Sequence, residues 1–221
     1  VVEREADGVD FTVHTEGAAR RVRFPVPGQF SVYNAMAALS AVLALGVPLE
    51  RAAQALERMP GVPGRAEVVR VDAPYRVIVD YAHSPDSVEK IVETVADFTR
   101  GRVISVLGCG GNRDRGKRPK MAAAASQRSG YVILTTDNPR FEEPEAIMRD
   151  ILPGIERTDC PYRVVLDRRE AIHAALEMAL PGDTVLIMGK GHEPYQEIRG
   201  VRHHFDDREE VRAFFGREER V

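Results

Sequence analysis

Apolar residues follow two different patterns on either side of residue 64. Beyond this point, short apolar runs recur at a regular spacing, at 75–79, 103–107, 131–135, 162–166 and 184–188. Amphipathic patterns with helical periodicity fill the intervals between these runs. Strands that alternate with helices of this length predict βαβ crossovers. We therefore predict an α/β domain with a mostly parallel sheet.

The pattern of apolar and polar positions over residues 1–59 predicts a hairpin followed by two helices. Alternation of apolar and polar residues at 9–13 and 21–24 is typical of paired strands. Ser31 is placed to cap a helix that ends at Gly46, and a second helix starts at Pro48. These elements make a thin core, so we interpret the segment as the end of a domain whose beginning is missing.

A Pro-Gly-Val-Pro-Gly segment at 60–64 interrupts the pattern and is the best linker candidate in the chain. It divides the sequence into two predicted parts, 1–64 and 65–221. Near the C-terminus, an edge hairpin is predicted around Gly200, followed by a last helix at 207–215.

Composition limits the classes of protein to which the chain can belong. The 31 basic and 34 acidic residues give a net charge of −3, which does not favour a nucleic-acid or membrane partner. The two cysteines, Cys109 and Cys160, argue for a reducing cytoplasm rather than a disulfide framework. Neither a signal-peptide pattern nor a membrane-length apolar run is present. We therefore expect a cytoplasmic protein, and because the chain begins with valine rather than methionine, we expect it to be a piece of a longer one.

The turn Asp137-Asn138-Pro139-Arg140 closes the strand predicted at 131–135. Pro139 lacks an N–H and pushes Asn138 towards extended geometry, so the strand cannot continue. Arg140 is therefore held beyond the carboxyl end of a strand, where open α/β sheets bind ligands. Its planar guanidinium suits a carboxylate or a phosphate. A plain chain reversal with Arg140 in water would use the same turn.

Residues 108–120 form a glycine-rich, basic loop after the strand at 103–107. The spacing from Gly111 to Lys117 fits the G-x-x-x-x-G-K of a phosphate-binding loop. The next position, where Ser or Thr would hold magnesium, is Arg118, and this argues against nucleoside triphosphate binding here. Both a solvated basic loop and an anion site remain open, and the density of cations favours the anion site.

The loop 80–86 contains residues of two kinds. Ser84 and Pro85 are suited to start the next helix. Asp80 and His83 are not needed for capping. A surface histidine without function and a functional one are both compatible with this stretch.

The loop 189–193 has glycines that would let the backbone come close to a ligand, although tight turns use glycine too. A metal site at 203–207 is a weaker hypothesis, since an exposed edge strand and helix capping explain those residues more simply.

Four motifs, taken in order, resemble those of one family. They are D-Y-A-H-S-P-D at 80–86, G-C-G-G-N-R-D-R-G-K-R-P at 108–119, D-N-P-R at 137–140 and G-K-G-H-E at 189–193. They resemble the motifs of the Mur ligases of peptidoglycan synthesis, most of all those that add meso-diaminopimelate. The likeness runs from about Pro25 to the C-terminus. It implies that 65–221 is a Rossmann-like C-terminal domain and that 1–64 ends a central ATPase domain.

The resemblance also implies roles for individual residues. The implied diaminopimelate contacts are Arg113, Asp137, Asn138, Pro139, Arg140, Gly189 and Glu193. Among these, Arg140 would pair with a carboxylate and Glu193 with an ammonium. The implied ATP contacts are Asn34 beside the base, Arg65 at the phosphates and Asp80 at the ribose, with Tyr81 and His83 lining the same cleft. No catalytic residue and no metal ligand is assigned within this chain.

The reaction implied by the resemblance uses ATP and Mg²⁺. The γ-carboxylate of the D-glutamate in UDP-N-acetylmuramoyl-L-alanyl-D-glutamate becomes an acyl phosphate, which an amine of diaminopimelate attacks. Catalysis in the family rests mainly on positioning and charge stabilisation. Its Gly-Lys-Thr/Ser loop, magnesium-binding acids and carbamylated lysine have no counterpart in this sequence. We therefore expect the magnesium ligands upstream, and we expect this chain to be inactive alone.

Two other interpretations use the same loops. A stand-alone module that binds diaminopimelate or a nucleotide is one, and a ligase like folylpolyglutamate synthase is the other. The second would have no need of the Asp-Asn-Pro-Arg turn. For the ligase we expect small-molecule substrates, meso-diaminopimelate and the UDP-N-acetylmuramoyl-dipeptide, no nucleic-acid or membrane partner, and a monomer.

Overall fold

The computed structural model describes residues 2–5 and 8–218. The chain divides into two units, residues 1–62 and 63–221. Within the described ranges, no helix is both long and apolar enough to cross a membrane.

The first unit consists of an antiparallel sheet and two helices. Its elements are β1 (Val2–Glu5), β2 (Gly8–Thr15), β3 (Ala18–Phe24), α1 (Gln29–Ala44) and α2 (Leu49–Glu57). The strand order is β1-β2-β3. The predicted hairpin is confirmed, because β2 pairs with β3 across the turn at Gly17, whereas β1 was not predicted.

The start of α1 differs from the prediction. The cap position is Gly28, and Ser31 lies inside the first turn of the helix. The buried Ser31 Oγ donates to the carbonyl of Pro27 at 2.7 Å, so it satisfies a carbonyl before the helix rather than a free N–H within it. The predicted end at Gly46 is confirmed, and its φ of +82° explains why glycine is needed there.

The second unit is a mixed α/β structure. Its elements are β4 (Glu67–Val69), β5 (Arg76–Asp80), α3 (Pro85–Phe98), β6 (Val103–Cys109), α4 (Lys117–Ser126), β7 (Tyr131–Thr136), α5 (Pro144–Ile155), β8 (Tyr162–Val164), α6 (Arg168–Met178), β9 (Thr184–Met188), β10 (Tyr195–Ile198), β11 (Val201–His204) and α7 (Asp207–Glu218). Six strands form one sheet in the order β4-β5-β9-β6-β7-β8. All pairs in it are parallel except β4 with β5. The predicted mostly parallel sheet is confirmed.

Helices cover both faces of this sheet. Helices α6 and α7 pack on one face, and α3, α4 and α5 pack on the other. Strands β6 and β9 are buried along their whole length, as expected for a sheet with no solvent-exposed face. This burial is why the strands appeared in the sequence as continuous apolar runs.

The C-terminal hairpin forms, but it does not extend the edge of the six-stranded sheet. Strands β10 and β11 pair in a separate two-stranded sheet. Ile198 makes a parallel bridge with Arg140, which anchors the hairpin to the loop after β7. The hairpin thus lies over the carboxyl end of the main sheet.

Candidate functional site

The loops after β5, β6, β7 and β9 meet at one end of the sheet. These four strands are neighbours and run parallel, so their carboxyl ends lie together. Between the loops is a polar pocket of about 500 Å³. Six of the seven residues predicted to contact the amino acid line it: Arg113, Asp137, Asn138, Arg140, Gly189 and Glu193.

Arg140 is held through both its backbone and its side chain. Its φ is +52°. Its N–H donates to the backbone carbonyl of Glu197 at 3.0 Å, and its own carbonyl accepts from the N–H of Arg199 at 2.6 Å. Its Nη1 donates to the carbonyl of Gly111 at 2.9 Å, and its Nε lies 3.6 Å from the Glu197 carboxylate. In the described part of the chain, Nη2 has no protein partner, so the end of the guanidinium is available to an anion.

A buried polar cluster joins the Asp-Asn-Pro-Arg turn to the loop after β9. Asn138 Nδ2 donates to Glu193 Oε2 at 2.9 Å, and Asn138 Oδ1 accepts from Lys190 Nζ at 3.1 Å. The same Oδ1 accepts from the N–H of Glu197 at 2.9 Å. Most of the hydrogen-bonding capacity of Asn138 is therefore used within the protein, to place Glu193.

Lys190 supplies the positive charge of this cluster. Its side chain is fully buried, with Nζ 3.7 Å from Glu193 Oε2 and 3.9 Å from Asp137 Oδ1. Burial lowers the pKa of Lys190, while the Asp137 and Glu193 carboxylates act in the opposite direction. Lys190 belongs to the motif at 189–193, but the sequence alone predicted no role for it.

Gly189 allows close packing at the pocket because it has no side chain. Its φ is +115°, and a Cβ there would lie 2.5 Å from Asp137 Oδ2. Only glycine therefore lets the Asp137 carboxylate lie against the backbone of the loop after β9.

The seventh predicted residue, Pro139, supports the wall of the pocket with its backbone. A Cβ at Gly111 would lie 1.9 Å from the Pro139 carbonyl oxygen. The N–H of Gly111 donates to the carbonyl of Asn138 at 2.9 Å. The glycine-rich loop after β6 is thus packed directly against the turn that carries Arg140.

Arg113 is exposed at the mouth of the pocket, where its Nη1 donates to the carbonyl of Asn112 at 3.3 Å. Its charge is therefore accessible to a ligand. Cys109 lines the base of the pocket, and burial raises the pKa of its thiol to about 12. At neutral pH this thiol is protonated, so it is a packing residue rather than a nucleophile.

Arg118 explains why the loop only approximates a phosphate-binding loop. Its fully buried guanidinium donates to Glu142 (2.8 and 2.9 Å), to Asp150 (2.7 Å) and to the carbonyl of Gly110 (3.1 Å). Its Nε has no hydrogen-bond partner among the described residues. A structural anchor therefore stands where a phosphate-binding loop would carry its metal-binding hydroxyl.

The predicted nucleotide contacts lie in different surroundings. Asp80 is buried, and its two oxygens accept from the N–H groups of Ala66 and Ala82, each at 2.7 Å. Burial raises the pKa of Asp80, although both N–H groups act to lower it. Arg65 is exposed, with its guanidinium 4.9 Å from the centre of the Tyr81 ring. Asn34 is exposed on α1 in the first unit.

In the loop after β5, the predicted capping by Ser84 and Pro85 is confirmed, whereas Tyr81 and His83, expected in the nucleotide cleft, lie with the predicted amino-acid contacts. Ser84 caps α3 by accepting from the N–H of Ser87 at 3.3 Å, and Pro85 starts the helix. Tyr81 and His83 line the pocket, and Tyr81 OH donates to Glu193 Oε1 at 3.5 Å. Burial, followed by the Glu193 charge, raises the pKa of Tyr81.

Sequence reasoning missed the contribution of the C-terminal hairpin. Tyr195, Glu197 and Arg202 line the pocket. The Arg202 guanidinium stacks on the Tyr195 ring at 4.4 Å. No local signal connects these residues to the pocket, because the hairpin reaches it through the bridge to Arg140. Lys117 also lines the pocket, and its Nζ donates to the carbonyl of His83 at 2.8 Å.

Comparison with known proteins places this geometry in a family. Residues 64–191 match the family model described as "Mur ligase, glutamate ligase domain". A UDP-N-acetylmuramoyl-L-alanyl-D-glutamate--2,6-diaminopimelate ligase of Clostridioides difficile is 47% identical over 208 residues, which are 94% of this chain and 43% of the relative. A ligase of the same name from Trichormus variabilis is 47% identical over 219 residues, 98% of this chain and 44% of the relative.

Solved structures agree with these similarities. A structure of a UDP-N-acetylmuramoyl-L-alanyl-D-glutamate--2,6-diaminopimelate ligase is 41% identical with a TM-score of 0.74, and the match covers 100% of this chain and 45% of that one. A Mycobacterium tuberculosis folylpolyglutamate synthase shares the fold with a TM-score of 0.67 at 22% identity, over 86% of this chain and 44% of its own. The chain spans less than half the length of these relatives. Because the family model matches more than half of the sequence, the chain belongs to the Mur ligase family.

Proposed function

We propose that this chain is part of an ATP-dependent ligase that joins meso-diaminopimelate to UDP-N-acetylmuramoyl-L-alanyl-D-glutamate in peptidoglycan synthesis. Relatives named for this reaction are 47% identical to it. The observation that carries the proposal is that Arg140 and Glu193 line one pocket, so that a cation and an anion are available to the carboxylate and the ammonium at the distal end of diaminopimelate. In this proposal residues 1–64 end the central domain, and 65–221 form the C-terminal domain.

The amino-acid subsite consists of the six pocket residues and Pro139. Arg140 binds a carboxylate through the free end of its guanidinium, and the exposed Arg113 adds a second positive charge. Glu193, whose side chain is 21% exposed, accepts an ammonium. Asp137, Asn138 and Gly189 hold these groups in place through the contacts described above.

The proposed nucleotide contacts are Asn34 in the first unit and, in the second unit, Arg65 and Asp80. The exposed guanidinium of Arg65 fits a phosphate, since stacking on Tyr81 leaves its donors free for an anion. Asp80 has lone pairs left for a ribose hydroxyl beside the two backbone N–H groups that it accepts. The hydrogen bond from Ala66 also holds the backbone next to Arg65.

The Mg²⁺ that the family reaction uses finds no ligand set in the described residues, where no three His, Cys, Asp or Glu side chains are grouped to hold a metal.

The chemistry that ATP supplies when bound is activation of the acceptor carboxylate. The residues of this chain bind and orient the amine that attacks it. Arg140 and Glu193 anchor the distal end of diaminopimelate, which leaves the amine at the other end free to react. Such positioning replaces an encounter in solution by a bound geometry and is a major part of catalysis in two-substrate reactions.

The two alternative interpretations have less support. The likeness to folylpolyglutamate synthase is one of fold, at 22% identity. A stand-alone binding module accounts for the pocket but not for the shared sequence with ligases over 94% of the chain. The proposal includes a cytoplasmic, monomeric enzyme that acts on small molecules.

The proposal is tested by isothermal titration calorimetry of the 221-residue chain with meso-diaminopimelate and with L-lysine. Lysine lacks the distal carboxylate, so we expect its Kd to be about 30-fold weaker or more. The Arg140→Ala variant should bind both amino acids with similar Kd values, and Arg199→Ala, at an exposed arginine paired with Glu143, should behave like the parent. Equal Kd values for the two amino acids with the parent chain would contradict the proposal.

A further inference from the structure

Lys190 lies behind the wall of the pocket and does not line it, but it contacts three residues that do: Asp137, Asn138 and Glu193. Its Nζ donates to Asn138 and lies within 4 Å of carboxylate oxygens of both Asp137 and Glu193. The side chain is fully buried, and its ring neighbour Tyr195, 5.5 Å away, also lines the pocket. A buried ammonium is costly unless it is paired, so its place behind this wall needs an explanation.

We propose that Lys190 is a positioning residue for the amino-acid substrate, which orients the Asn138 amide and balances the charge of Asp137 and Glu193. This inference rests on the proposed function and extends it to a residue that no motif role covers. Lys190 acts through Glu193 and does not itself touch the substrate.

The first part of the argument is the direction of the Asn138 amide. Lys190 Nζ and the N–H of Glu197 both donate to Asn138 Oδ1. With its oxygen held by two donors, Asn138 presents Nδ2 to Glu193 Oε2 at 2.9 Å. A charged donor makes the stronger of such bonds. Lys190 therefore fixes the group that holds the Glu193 carboxylate.

The second part of the argument is charge. The charged groups that act on Lys190 are Asp137, Glu193, Arg168 and Asp207. Arg168 and Asp207 form a closed, fully buried pair with two hydrogen bonds of 2.8 Å, so they neutralise each other.

Tyr81 and Glu197 contact Glu193 and Asn138, the Tyr195 ring faces Lys190 Nζ at 5.5 Å, and none of the three brings a positive charge. The Glu197 carboxylate faces Arg140 at 3.6 Å. Lys190 is thus the cation that compensates Asp137 and Glu193. Without it, two carboxylates would share a partly closed site, and one of them would take up a proton at higher pH than usual.

The consequence is a dependence on pH that a purely structural lysine would not produce. In Lys190→Met, the Asp137 and Glu193 carboxylates would lie in one site as two like charges without a cation beside them, which favours proton uptake by the pair as the pH falls. A protonated carboxyl cannot pair with an ammonium. The substrate affinity should then fall at low pH and recover at high pH.

The test is calorimetry of meso-diaminopimelate binding to the 221-residue chain at pH 6.0 and pH 8.5. Relative to the parent, we expect Lys190→Met to weaken binding more at pH 6.0 than at pH 8.5, by about threefold or more. The matched control is Lys90→Met, an exposed lysine paired with the exposed Asp86, which should bind like the parent at both values. Equal weakening at both pH values would overturn the inference, because it would indicate a structural role.

A double variant makes the test independent of how well Lys190→Met folds. If Lys190 acts on the substrate through Glu193, then Lys190→Met/Glu193→Gln should bind no more weakly than Glu193→Gln alone, since the carboxylate that Lys190 positions for the ammonium is already absent. A further loss of about tenfold in the double variant would overturn the inference. If the parent chain binds meso-diaminopimelate and L-lysine equally, the proposed function fails; if it prefers meso-diaminopimelate while the variants miss these patterns, the role of Lys190 alone fails.

Discussion

Under the proposed function, replacement of Arg140 by alanine should remove a preference of the intact ligase for meso-diaminopimelate over L-lysine. The two amino acids differ at the distal end, where lysine has no carboxylate. The Arg140 guanidinium is 19% exposed and is fixed by Gly111 and Glu197, so it cannot swing into water when lysine is bound. Lysine would therefore leave a largely buried charge without its partner.

The structure sets the size of this effect. Truncating one side of a buried charged pair costs about 2–5 kcal/mol. Because Arg140 keeps some exposure and a carboxylate neighbour in Glu197, we expect the lower part of this range, about 2–3 kcal/mol, or roughly 30- to 150-fold in kcat/KM. The alanine variant should lose this factor with diaminopimelate and change little with lysine.

The assay is kcat/KM for both amino acids in the intact ligase, its Arg140→Ala variant and the control Arg199→Ala. Arg199 is 75% exposed and pairs with Glu143, and its φ of +49° resembles that of Arg140, so both alanine substitutions are made in similar backbone. The reasoning is refuted if Arg140→Ala keeps the parental preference. Specificity would then reside in Arg113 or Glu193.

Three further predictions concern the loops and the chain as a whole. The 221-residue chain alone should release no phosphate from ATP with magnesium and substrates, because Arg118 replaces the metal-binding hydroxyl of a phosphate loop; steady turnover abolished by Arg65→Ala would show otherwise. Arg118→Met should lower the free energy of unfolding in urea by about 2–4 kcal/mol. Arg115→Ala breaks an exposed ion pair to Asp150, which also pairs with Arg118, and should cost less than about 1 kcal/mol. Equal losses in the two variants would refute the role of Arg118 as a buried structural anchor. Gly111→Ala should weaken diaminopimelate binding about tenfold or more, since its Cβ would lie 1.9 Å from a backbone oxygen of the Arg140 turn. Gly116→Ala should change binding little, its nearest contact being 3.2 Å, and a normal Kd in both variants would contradict the packing described.

Local patterns were sufficient for most of the fold of the second unit. Parallel strands buried on both faces appear as apolar runs, and loops after them meet at one edge by topology alone. This is why Arg113, Arg140 and Glu193 could be grouped before their distances were known. The short strand β4 escaped prediction because its three residues have no periodicity of their own.

The parts that could not be predicted depend on contacts between distant residues. The sequence predicted Ser31 as the helix cap, but its hydroxyl donates to the carbonyl of Pro27. The cap is Gly28, three residues before Ser31. The hairpin residues Glu197 and Arg202 enter the pocket through the bridge to Arg140, which no local motif records.

The role of Lys190 could not be predicted from the sequence either. Its role follows from burial and from three neighbours in two loops, Asp137, Asn138 and Glu193. A sequence gives the order of these residues, whereas the charge balance between them exists only in the folded state.

The central claim is that one end of meso-diaminopimelate is held between Arg140 and Glu193. A crystal structure of the chain soaked with meso-diaminopimelate tests it most directly. The account predicts a carboxylate about 2.8 Å from the guanidinium nitrogens of Arg140 and an ammonium at hydrogen-bonding distance from Glu193. A well-defined amino acid bound with neither contact, or bound outside this pocket, would contradict the account.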